Sequence, residues 1–549
     1  PGGDQVTLPM PFPTKEIAGD YNPAIRLFGL RFVADQTIVE YLSEFLSIVF
    51  SNKTIWDDTI TTPLPSLEDL QKWSATSEYA PLRYAPPIRL NLKLLAFYGL
   101  TPLAKRHKVH GYGYERVATM LESQIKSSTV EPEEARRCIE DFFKGFQGAG
   151  DTRTWCARTF YPISESLLTQ ETMWEETKAR KDDLSTWEDS IDNFSRYYST
   201  TKHNFLARGG ELLYLQLCNA LSTEQRSIDD FVGNAGPFFD EDEVQLKTLH
   251  NSLQNGLKRL YGSYTAPLDE LADYVERLDK ETYKRIGNYS KALTCEWCPR
   301  DSWPEGYLFA VELNRLMSTT VSLADKLELM MIGCALQVLR SLCAQSARYM
   351  SPLDKAKKGR GGALGYAWIF SAPDSCTRQQ SLVSQRNLQA IEALIQGVLR
   401  ISALETYVRE GQKDDRKIRE RYKEADKKYG YKLFRSLGKN LLIIIPRRGS
   451  GARFVMTEKV LRYMVMTLVR PGERLTYDEF LERLYCFYGI AVESPQLMDA
   501  MVWSGLPANQ SVQSDRESWL CQMLRAGGFL TELSDARSIV CNPFGTNID

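Results

Sequence analysis

Two cysteines separated by two residues are the strongest candidates for metal or redox chemistry in this sequence. Cys295-Glu-Trp-Cys298 has the spacing of one half of a zinc site. A structural zinc site needs four ligands, but the sequence has no second such pair and only four histidines. A redox role is typical of such a motif beside a βαβ pattern, which is absent. We therefore predict two structural thiols and no cofactor, with Cys295 and Cys298 as the only metal candidates.

Three further motifs could carry chemistry, and each has a simpler structural interpretation. His107 and His110 could share one helix face, but no acidic or cysteine partner is close in sequence, which favours a basic surface turn. Glu176-Thr-Lys178 matches the end of a restriction-nuclease motif, but its flanks look helical. Gly359-Arg-Gly361-Gly362 lacks P-loop spacing, so it is either a basic loop that contacts phosphate or a solvated connection. No catalytic residue is nominated, and a nuclease or other hydrolase with an unrecognised active site stays as an alternative.

Cations concentrate between residues 409 and 453. From 409 to 439 there are twelve Lys or Arg against six Asp or Glu. Tyr422, Tyr429 and Tyr431 alternate with them, so positive charge for phosphates and aromatic faces for bases occur together. An ordinary charged linker followed by a hairpin is the alternative. The predicted nucleic-acid-binding residues are Lys427, Lys428, Lys432, Arg435, Lys439, Arg447, Arg448 and Arg453.

The C-terminal region has the order of elements that a winged helix needs. Residues 441–445 and 453–456 predict a β-hairpin, and helices are predicted at 458–469, after Thr476, at 495–504 and at 514–526. A terminal hairpin of 529–533 and 537–541 would form the wing. The last helix is a weak DNA reader, because Asp515, Glu517 and Trp519 accompany its few cations. Winged helices also dock on proteins, so both uses remain open.

Composition and charge exclude several classes of protein. The 549 residues are 43% hydrophobic and 25% charged, which is globular rather than disordered composition. The formal net charge is −2, so nucleic-acid binding would need local patches. Eleven scattered cysteines, several within apolar helical patterns such as Cys218, Cys334 and Cys343, are typical of reduced thiols in a cytoplasmic protein. Residues 1–4 lack the features of a secretory signal, so none is expected there.

The longest apolar run, from 329 to 347, is long enough to cross a membrane. Gln337 and Arg340 lie in its middle, and an arginine at that depth in lipid is costly. We therefore predict a buried core helix and no membrane partner.

Apolar periodicity predicts a mainly α fold, in which a multi-domain helical body carries a C-terminal α+β domain resembling a winged helix. The strongest helix spans 322–350, with Ser322 and Asp325 as its capping box, and a second long helix spans 382–409. Breaks rich in Pro or Gly and shifts in composition divide the chain. The predicted segments are an extended N-terminal arm (1–24), a helical domain (25–150), a helical domain with irregular loops (151–300), an antiparallel pair of long helices (301–410), a charged basic linker or helix (411–440), and a β-hairpin with a winged-helix-like domain (441–549).

Four stretches resemble uncharacterised proteins encoded in bacterial anti-phage defence islands. They are Pro23–Gly29 with Phe32, Thr154–Ala157, Arg208–Leu212, and Pro446–Gly449 with Arg453 and Phe454. The similar proteins are large accessory components of multi-gene systems that also encode methyltransferases, ATPases or nucleases. The resemblance spreads along most of the chain and implies no catalytic residue.

These features predict a non-catalytic, DNA-associated or scaffolding subunit of a bacterial multi-protein complex for anti-phage defence. Its expected partners are DNA and other protein subunits. Cations against the phosphate backbone would supply affinity without sequence specificity. A hydrolase and a pure protein-interaction scaffold are the alternatives. If the basic surface makes no difference to DNA retention, the scaffold is favoured over the DNA-associated subunit.

Overall fold

The computed structural model describes residues 6–12, 21–30, 32–76, 80–100, 107–200, 209–289, 292–296, 298–350, 357, 359–374, 376–508, 518–533 and 538–545. Of the predicted N-terminal arm, residues 1–5 and 13–20 lie outside these ranges. Helices dominate the described chain and its strands are short, so the predicted mainly α fold is confirmed.

The first 200 residues combine helices with short antiparallel pairings. Strands β2 (Lys53–Ile55), β3 (Asp58–Ile60) and β4 (Arg83–Tyr84) form a four-stranded sheet with the later strand β9 (Leu293–Thr294), in the order β3-β2-β4-β9. The elements of this region are β1 (Pro11–Phe12), α1 (Pro23–Phe28), α2 (Ile38–Phe50), β2 (Lys53–Ile55), β3 (Asp58–Ile60), α3 (Leu67–Ala75), β4 (Arg83–Tyr84), α4 (Leu90–Phe97), α5 (Lys108–Gln124), α6 (Pro132–Lys144), β5 (Gln147–Ala149), β6 (Thr159–Phe160), β7 (Met173–Trp174), α7 (Glu176–Lys181), α8 (Trp187–Asp192), α9 (Phe194–Tyr197) and β8 (Tyr198–Ser199).

The central region supplies the helices of the main core. Its elements are α10 (Gly209–Leu221), α11 (Gln225–Ala235), α12 (Glu241–Val244), α13 (Leu246–Lys258), α14 (Ala266–Arg277), α15 (Lys280–Tyr289), β9 (Leu293–Thr294), β10 (Cys298–Pro299), α16 (Trp303–Met317) and α17 (Leu323–Met350). Helix α10 packs closely between α2 and α16. A Cβ at Gly210 would lie 2.5 Å from the Phe45 nitrogen, and one at Gly306 would collide with the Gln216 carbonyl. Both crossings therefore need glycine.

Helix α17 is the predicted apolar segment. It is long and apolar enough to cross a membrane by length and composition alone, but 94% of its most apolar window is buried within the fold. Half of the predicted capping box forms: Ser322 Oγ accepts the Asp325 N–H at 3.2 Å, whereas the Asp325 carboxylate accepts the Ser322 hydroxyl at 2.8 Å. Arg340 in the middle of the helix is fully buried and pairs with Glu312 of α16, Nη2 to Oε1 at 2.5 Å. The predicted core helix is confirmed.

The remaining elements follow α17. They are β11 (Trp368–Ile369), α18 (Arg378–Val398), α19 (Ser402–Gly411), α20 (Asp415–Glu424), one π-helical turn (Ala425–Tyr429), α21 (Tyr431–Asn440), β12 (Ile444–Ile445), β13 (Arg453–Phe454), α22 (Glu458–Leu468), β14 (Arg474–Thr476), α23 (Tyr477–Tyr488), β15 (Ile490–Ala491), α24 (Gln496–Trp503), α25 (Trp519–Ala526), β16 (Leu530–Glu532) and β17 (Ser538–Cys541). The helix predicted over 382–409 is two helices, α18 and α19. Helices α17 and α18 pack against each other.

The last hundred residues form a small α+β unit. Strands β14, β17 and β16 make an antiparallel sheet in that order; α23 and α25 pack beside the sheet, and α22 packs on α23. Helix α22 also packs on α16 and α17, and β15 pairs in parallel with β11. The unit therefore shares the main core rather than hanging from a linker.

Two hydrophobic cores organise the described residues. The main core extends from Phe12 to Val540. The second joins α4, α5 and α14 to residues 155–198, with Phe97 and Phe160 at a ring-centroid distance of 4.4 Å. The segment boundary placed at 150 runs through this second core, because its partners come from both sides of that boundary.

Candidate nucleic-acid interface

The hairpin at 444–454 is anchored at its base. Ile444–Ile445 pairs antiparallel with Arg453–Phe454. Ile444 and Phe454 are fully buried, and the Phe454 ring stacks on Phe370 with centroids 5.5 Å apart. The Phe454 N–H donates to Ser384 Oγ of α18 at 2.9 Å. The core therefore holds the two strands, and the turn between them faces solvent.

Helix α21 precedes the hairpin and is packed rather than free. Its apolar residues recur at three- and four-residue spacing, and Leu433, Phe434 and Leu437 are buried against α17 and α18. Lys432 lies on the opposite, exposed face. Residues 411–440, predicted as a charged basic linker or a helix, are therefore largely helical, and α21 presents its cations from a fixed surface.

Two of the predicted cations are engaged in ion pairs. Lys428 Nζ lies 2.9 Å from Glu424 Oε1, one helical turn earlier. Arg435 Nε lies 2.7 Å from Glu392 Oε1 on α18. The Arg435 side chain is 42% exposed and Glu392 14%, so this pair also joins two helices. A phosphate would have to compete with these carboxylates.

Two more predicted cations fasten the hairpin. Lys439 Nζ donates to the Arg447 carbonyl at 2.8 Å, which ties α21 to the turn. Arg453 donates to Ser371 Oγ at 3.3 Å and to the Pro373 carbonyl at 3.1 Å. The role of Lys439 and Arg453 as nucleic-acid contacts stays a prediction, and both side chains form hydrogen bonds that hold the base of the turn in place.

Four predicted cations remain exposed: Lys427, Lys432, Arg447 and Arg448. Their side chains have no ion pair or hydrogen bond with any residue that the structure describes. Residues 427–457 contain no Asp or Glu, so no carboxylate within the segment neutralises them. Arg447 and Arg448 lie in an exposed turn, and a Cβ at Gly449 would meet open space. This segment thus combines fixed geometry with uncompensated positive charge.

Sequence reasoning missed two arginines on α18. Arg378 and Arg386 are exposed, eight residues apart and so on one face of the helix. That face reaches the hairpin, since a Cβ at Gly451 would lie 3.6 Å from Gln385 Nε2. The spacing of the two arginines is visible in the sequence, but the predicted helix began at 382 and so excluded Arg378. We include both in the candidate interface.

The metal candidates Cys295 and Cys298 lie in the core. Both are fully buried, and Asn219 Nδ2 donates to Cys298 Sγ at 3.0 Å. Burial raises the pKa of the Cys298 thiol well above its usual value. Among the described residues, no group of three or more His, Cys, Asp or Glu is arranged to hold a metal ion. The geometry is that of two packed structural thiols.

The prediction of a surface turn for the histidine pair is wrong for His110. It belongs to α5 and is buried, with its ring 4.4 Å from Trp174 and 5.3 Å from Trp155, centroid to centroid. His107 caps the same helix, 5.3 Å from Trp174, and burial lowers the pKa of its imidazole. The periodicity of α5 could have revealed this, but the adjacent Lys and Arg masked the apolar face.

The remaining two motifs also have structural roles. Glu176 opens helix α7, pairs with Arg180 at 2.7 Å and accepts the Trp174 indole N–H at 2.8 Å. This helix is not the strand that a restriction-nuclease motif requires.

The Gly-rich loop is fastened to α24. Arg360 pairs with Asp499 at 3.0 Å, and the Gly361 N–H donates to the same carboxylate at 3.0 Å. Tyr485 donates to it as well, at 2.6 Å. The loop borders a cleft of about 480 Å³, but its arginine is occupied. The loop is an exposed connection at Gly359 and Arg360, and its contact with phosphate stays a prediction, in which phosphate would have to displace Asp499 from Arg360.

A larger cleft of about 680 Å³ lies between α25 and α22. Its cations are paired, since Lys459 contacts Glu328, and Arg462 lies 3.0 Å from Asp325. Residues 514–517 of the predicted last helix lie outside the described residues, and the described part begins at Trp519. The apolar side chains that line the cleft are Ala372, Leu461, Trp519, Met523, Phe529 and Phe544.

Comparison of the chain with protein-family models, with curated proteins and with solved structures found no match. The assignment of function therefore depends on the chain's own residues.

Proposed function

We propose that this protein is a non-catalytic subunit that binds duplex DNA through α21, the 444–454 hairpin and the exposed face of α18. The observation that carries the proposal is the acid-free segment 427–457, which has four exposed cations: Lys427 on the π-helical turn, Lys432 on the packed helix α21, and Arg447 and Arg448 in an exposed turn between two anchored strands. Cations on an ordered backbone lose less conformational freedom on binding than cations on a mobile chain. Neutralising DNA phosphates also releases their condensed counterions, which favours binding. Binding would be largely independent of sequence, because phosphate contacts carry no base information.

The C-terminal unit supports a complex-forming role. Its order of helix, strand, two helices separated by the short strand β15, a last helix and a hairpin, with sheet order β14-β17-β16, favours a winged-helix-like fold. In the described part of α25, Gln522 lies at the apolar cleft and Arg525 pairs with Glu532, which leaves little for reading a major groove. Trp519 and Met523 of the same helix also line that cleft. We propose that the unit docks on a partner subunit while the basic surface contacts DNA.

The resemblance to defence-island proteins supports the setting. It suggests an accessory subunit in the bacterial cytoplasm, acting beside partner proteins that supply the chemistry. The stretch Pro446–Gly449, part of that resemblance, coincides with the exposed arginine turn. Arg208, from another such stretch, lies outside the described residues.

Fluorescence anisotropy on a labelled duplex across a salt series tests the proposal. The test variant changes Lys427, Lys432, Arg447 and Arg448 to Ala. For B-DNA, the slope of log Kobs against log salt changes by about 0.9 for each phosphate contact, so we expect the slope to flatten by up to about 3 to 4. All four side chains are exposed, so circular dichroism should remain that of the wild type.

A variant with Lys247 and Lys258 changed to Ala is the matched control. Both cations are exposed on α13, away from the basic segment, so their loss should leave the slope within about 0.5 of the wild type. The proposal fails if the wild-type chain does not bind duplex DNA at low salt. It also fails if the control and the test variant flatten the slope equally.

A pure protein-interaction scaffold is the second candidate function. The cleft of about 680 Å³ favours it. Many of the side chains that line the cleft are apolar, and its two cations are paired with carboxylates, so the cleft suits an apolar segment of a partner better than it suits phosphate. Met523→Lys would place a charge in the cleft. We expect this change to abolish capture of a partner subunit and to leave DNA binding unchanged, as pull-down and anisotropy would report.

A further inference from the structure

We propose that the Arg447–Arg448 turn enters the minor groove of duplex DNA and favours A·T-rich sequence. This inference rests on the proposed DNA binding and adds the groove and the base composition. It concerns only the tip of the hairpin, whereas Lys427 and Lys432 contact phosphates alone.

The shape of the hairpin restricts what can enter a groove. Its paired part is two residues long on each strand, and Ile444 and Phe454 are buried in the core. A β-ribbon that reads the major groove, about 12 Å wide, needs an exposed strand face to fill it. This hairpin has no such face among its described residues, because β13 packs on α18, β12 packs on α21, and all four paired residues are buried or half-buried. Only residues 446–451 project into solvent.

The composition of the tip suits a narrow groove. After Arg448 come Gly449, Ser450, Gly451 and Ala452, so nothing larger than a methyl or hydroxymethyl group accompanies the arginines on that side. The minor groove is about 6 Å wide, so it admits extended arginine side chains but not two paired strands, whose axes alone are about 4.8 Å apart. Gly449 has φ +96 and Gly451 φ +80, a left-handed backbone that glycine adopts without strain and that folds the tip tightly.

The arginines are held for insertion. Their own guanidinium groups have no partner among the described residues, while the backbone of Arg447 is tied to Lys439 at 2.8 Å. Arg453 closes the other strand by its bonds to Ser371 and Pro373. A rigid base with free cationic ends can place guanidinium groups in the groove at low entropic cost.

Electrostatics then favours A·T-rich DNA. Tracts of A·T base pairs have a narrow minor groove with enhanced negative potential, which attracts inserted arginine. Arginine suits this site better than lysine, because its guanidinium is more weakly hydrated and loses less on leaving water. The turn would therefore read groove width rather than base edges.

Anisotropy titrations of the full chain with two duplexes of equal length test the proposal. One duplex contains an A-tract and the other only G·C pairs. We expect wild-type protein to bind the A-tract about fivefold tighter or more. Changing Arg447 and Arg448 to Lys keeps the charge and should remove most of that preference. Changing Lys427 and Lys432 to Ala is the matched control, which should weaken both duplexes equally and keep the preference.

The outcomes separate the two proposals. If the wild type binds neither duplex at low salt, the proposed DNA binding fails and this inference falls with it. If it binds both duplexes equally, the minor-groove inference is overturned while the DNA-binding proposal stands. Retention of the full preference in the double Lys variant also overturns it. An RNA duplex, whose minor groove is wide and shallow, should bind no better than the G·C duplex, and tighter binding to it would contradict the insertion.

Discussion

Changing Arg340 to Met should strongly destabilise this protein, because it removes one half of a buried ion pair. The Arg340 and Glu312 side chains are 1% and 0% exposed, with Nη2 and Oε1 2.5 Å apart. The other carboxylate oxygen accepts the Tyr463 hydroxyl at 3.0 Å, and the guanidinium carbon lies 4.7 Å from the Tyr488 ring centroid. Every partner is in the core, so water cannot replace the lost charge.

The magnitude follows from the uncompensated carboxylate that remains. Breaking a buried pair by removing one partner costs about 3–5 kcal/mol of unfolding free energy. Replacing both members, Arg340→Met with Glu312→Leu, leaves no buried charge and keeps similar volumes, which is often neutral or stabilising. The Tyr463 hydroxyl then lacks its acceptor, at about 1–3 kcal/mol. We therefore expect the double variant to be more stable than either single variant.

Urea unfolding followed by both circular dichroism and tryptophan fluorescence measures these changes. Coincidence of the two transitions permits linear extrapolation to water. The control is the exposed pair Arg416 and Glu420 on α20, 3.5 Å apart with side chains 83% and 62% exposed. Its disruption should cost no more than about 0.5 kcal/mol.

Two results would refute the reasoning. A cost below about 1 kcal/mol for Arg340→Met would mean that the pair is solvated in the folded protein. A double variant whose cost equals the sum of the two single changes would mean that the charges do not interact.

Three further predictions concern packing, pH and thiols. Gly210→Ala should lower the free energy of unfolding by about 1–3 kcal/mol, because its Cβ would lie 2.5 Å from the Phe45 nitrogen. Gly233→Ala, in open space on α11, should raise it by about 0.5–1 kcal/mol. Thermal unfolding of the two variants compares these changes. Burial raises the pKa of Glu276 from 4.5 to about 7, so protonation favours the folded state. Relative to Glu276→Gln, wild-type stability should fall by about 3 kcal/mol as pH rises from 4 to 8, and a pH-independent difference in urea midpoints would contradict this. The exposed Cys138 should react first with a thiol reagent, the two half-buried thiols next, and the eight buried thiols only on unfolding. Mass spectrometry follows the labelling, and fast labelling of a buried thiol would argue against the fold.

Local patterns were enough to predict much of the secondary structure. Apolar spacing located the start of α17 to within one residue, since apolar residues of a packed helix recur at that spacing. The helix predicted after Thr476 begins at Tyr477, and Thr476 with Glu479 forms its capping box. The helix predicted from 382 was misplaced at its start, because Thr377 with Gln380 forms a capping box ahead of the first apolar repeat.

The candidate interface was predicted as a set of cations but not as a surface. Its eight residues are visible in the sequence because they occur together in the segment 427–457, which contains no Asp or Glu. Whether a cation is free depends on which carboxylate folding brings near it. Glu392 is 43 residues from Arg435 in sequence, yet the two side chains meet. Arg378 and Arg386 join the surface only because α18 packs beside the hairpin.

The sequence by itself determined the helical class, the buried character of α17 and the position of the uncompensated charge, because these follow from residue type and short-range spacing. The tertiary structure alone decided which charges are paired and which segments share a core. Arg340 illustrates the division: its presence in an apolar run is plain in the sequence, but Glu312, Tyr463 and Tyr488 come together around it only on folding. Long-range pairing depends on the packing of whole helices, and no local pattern encodes it.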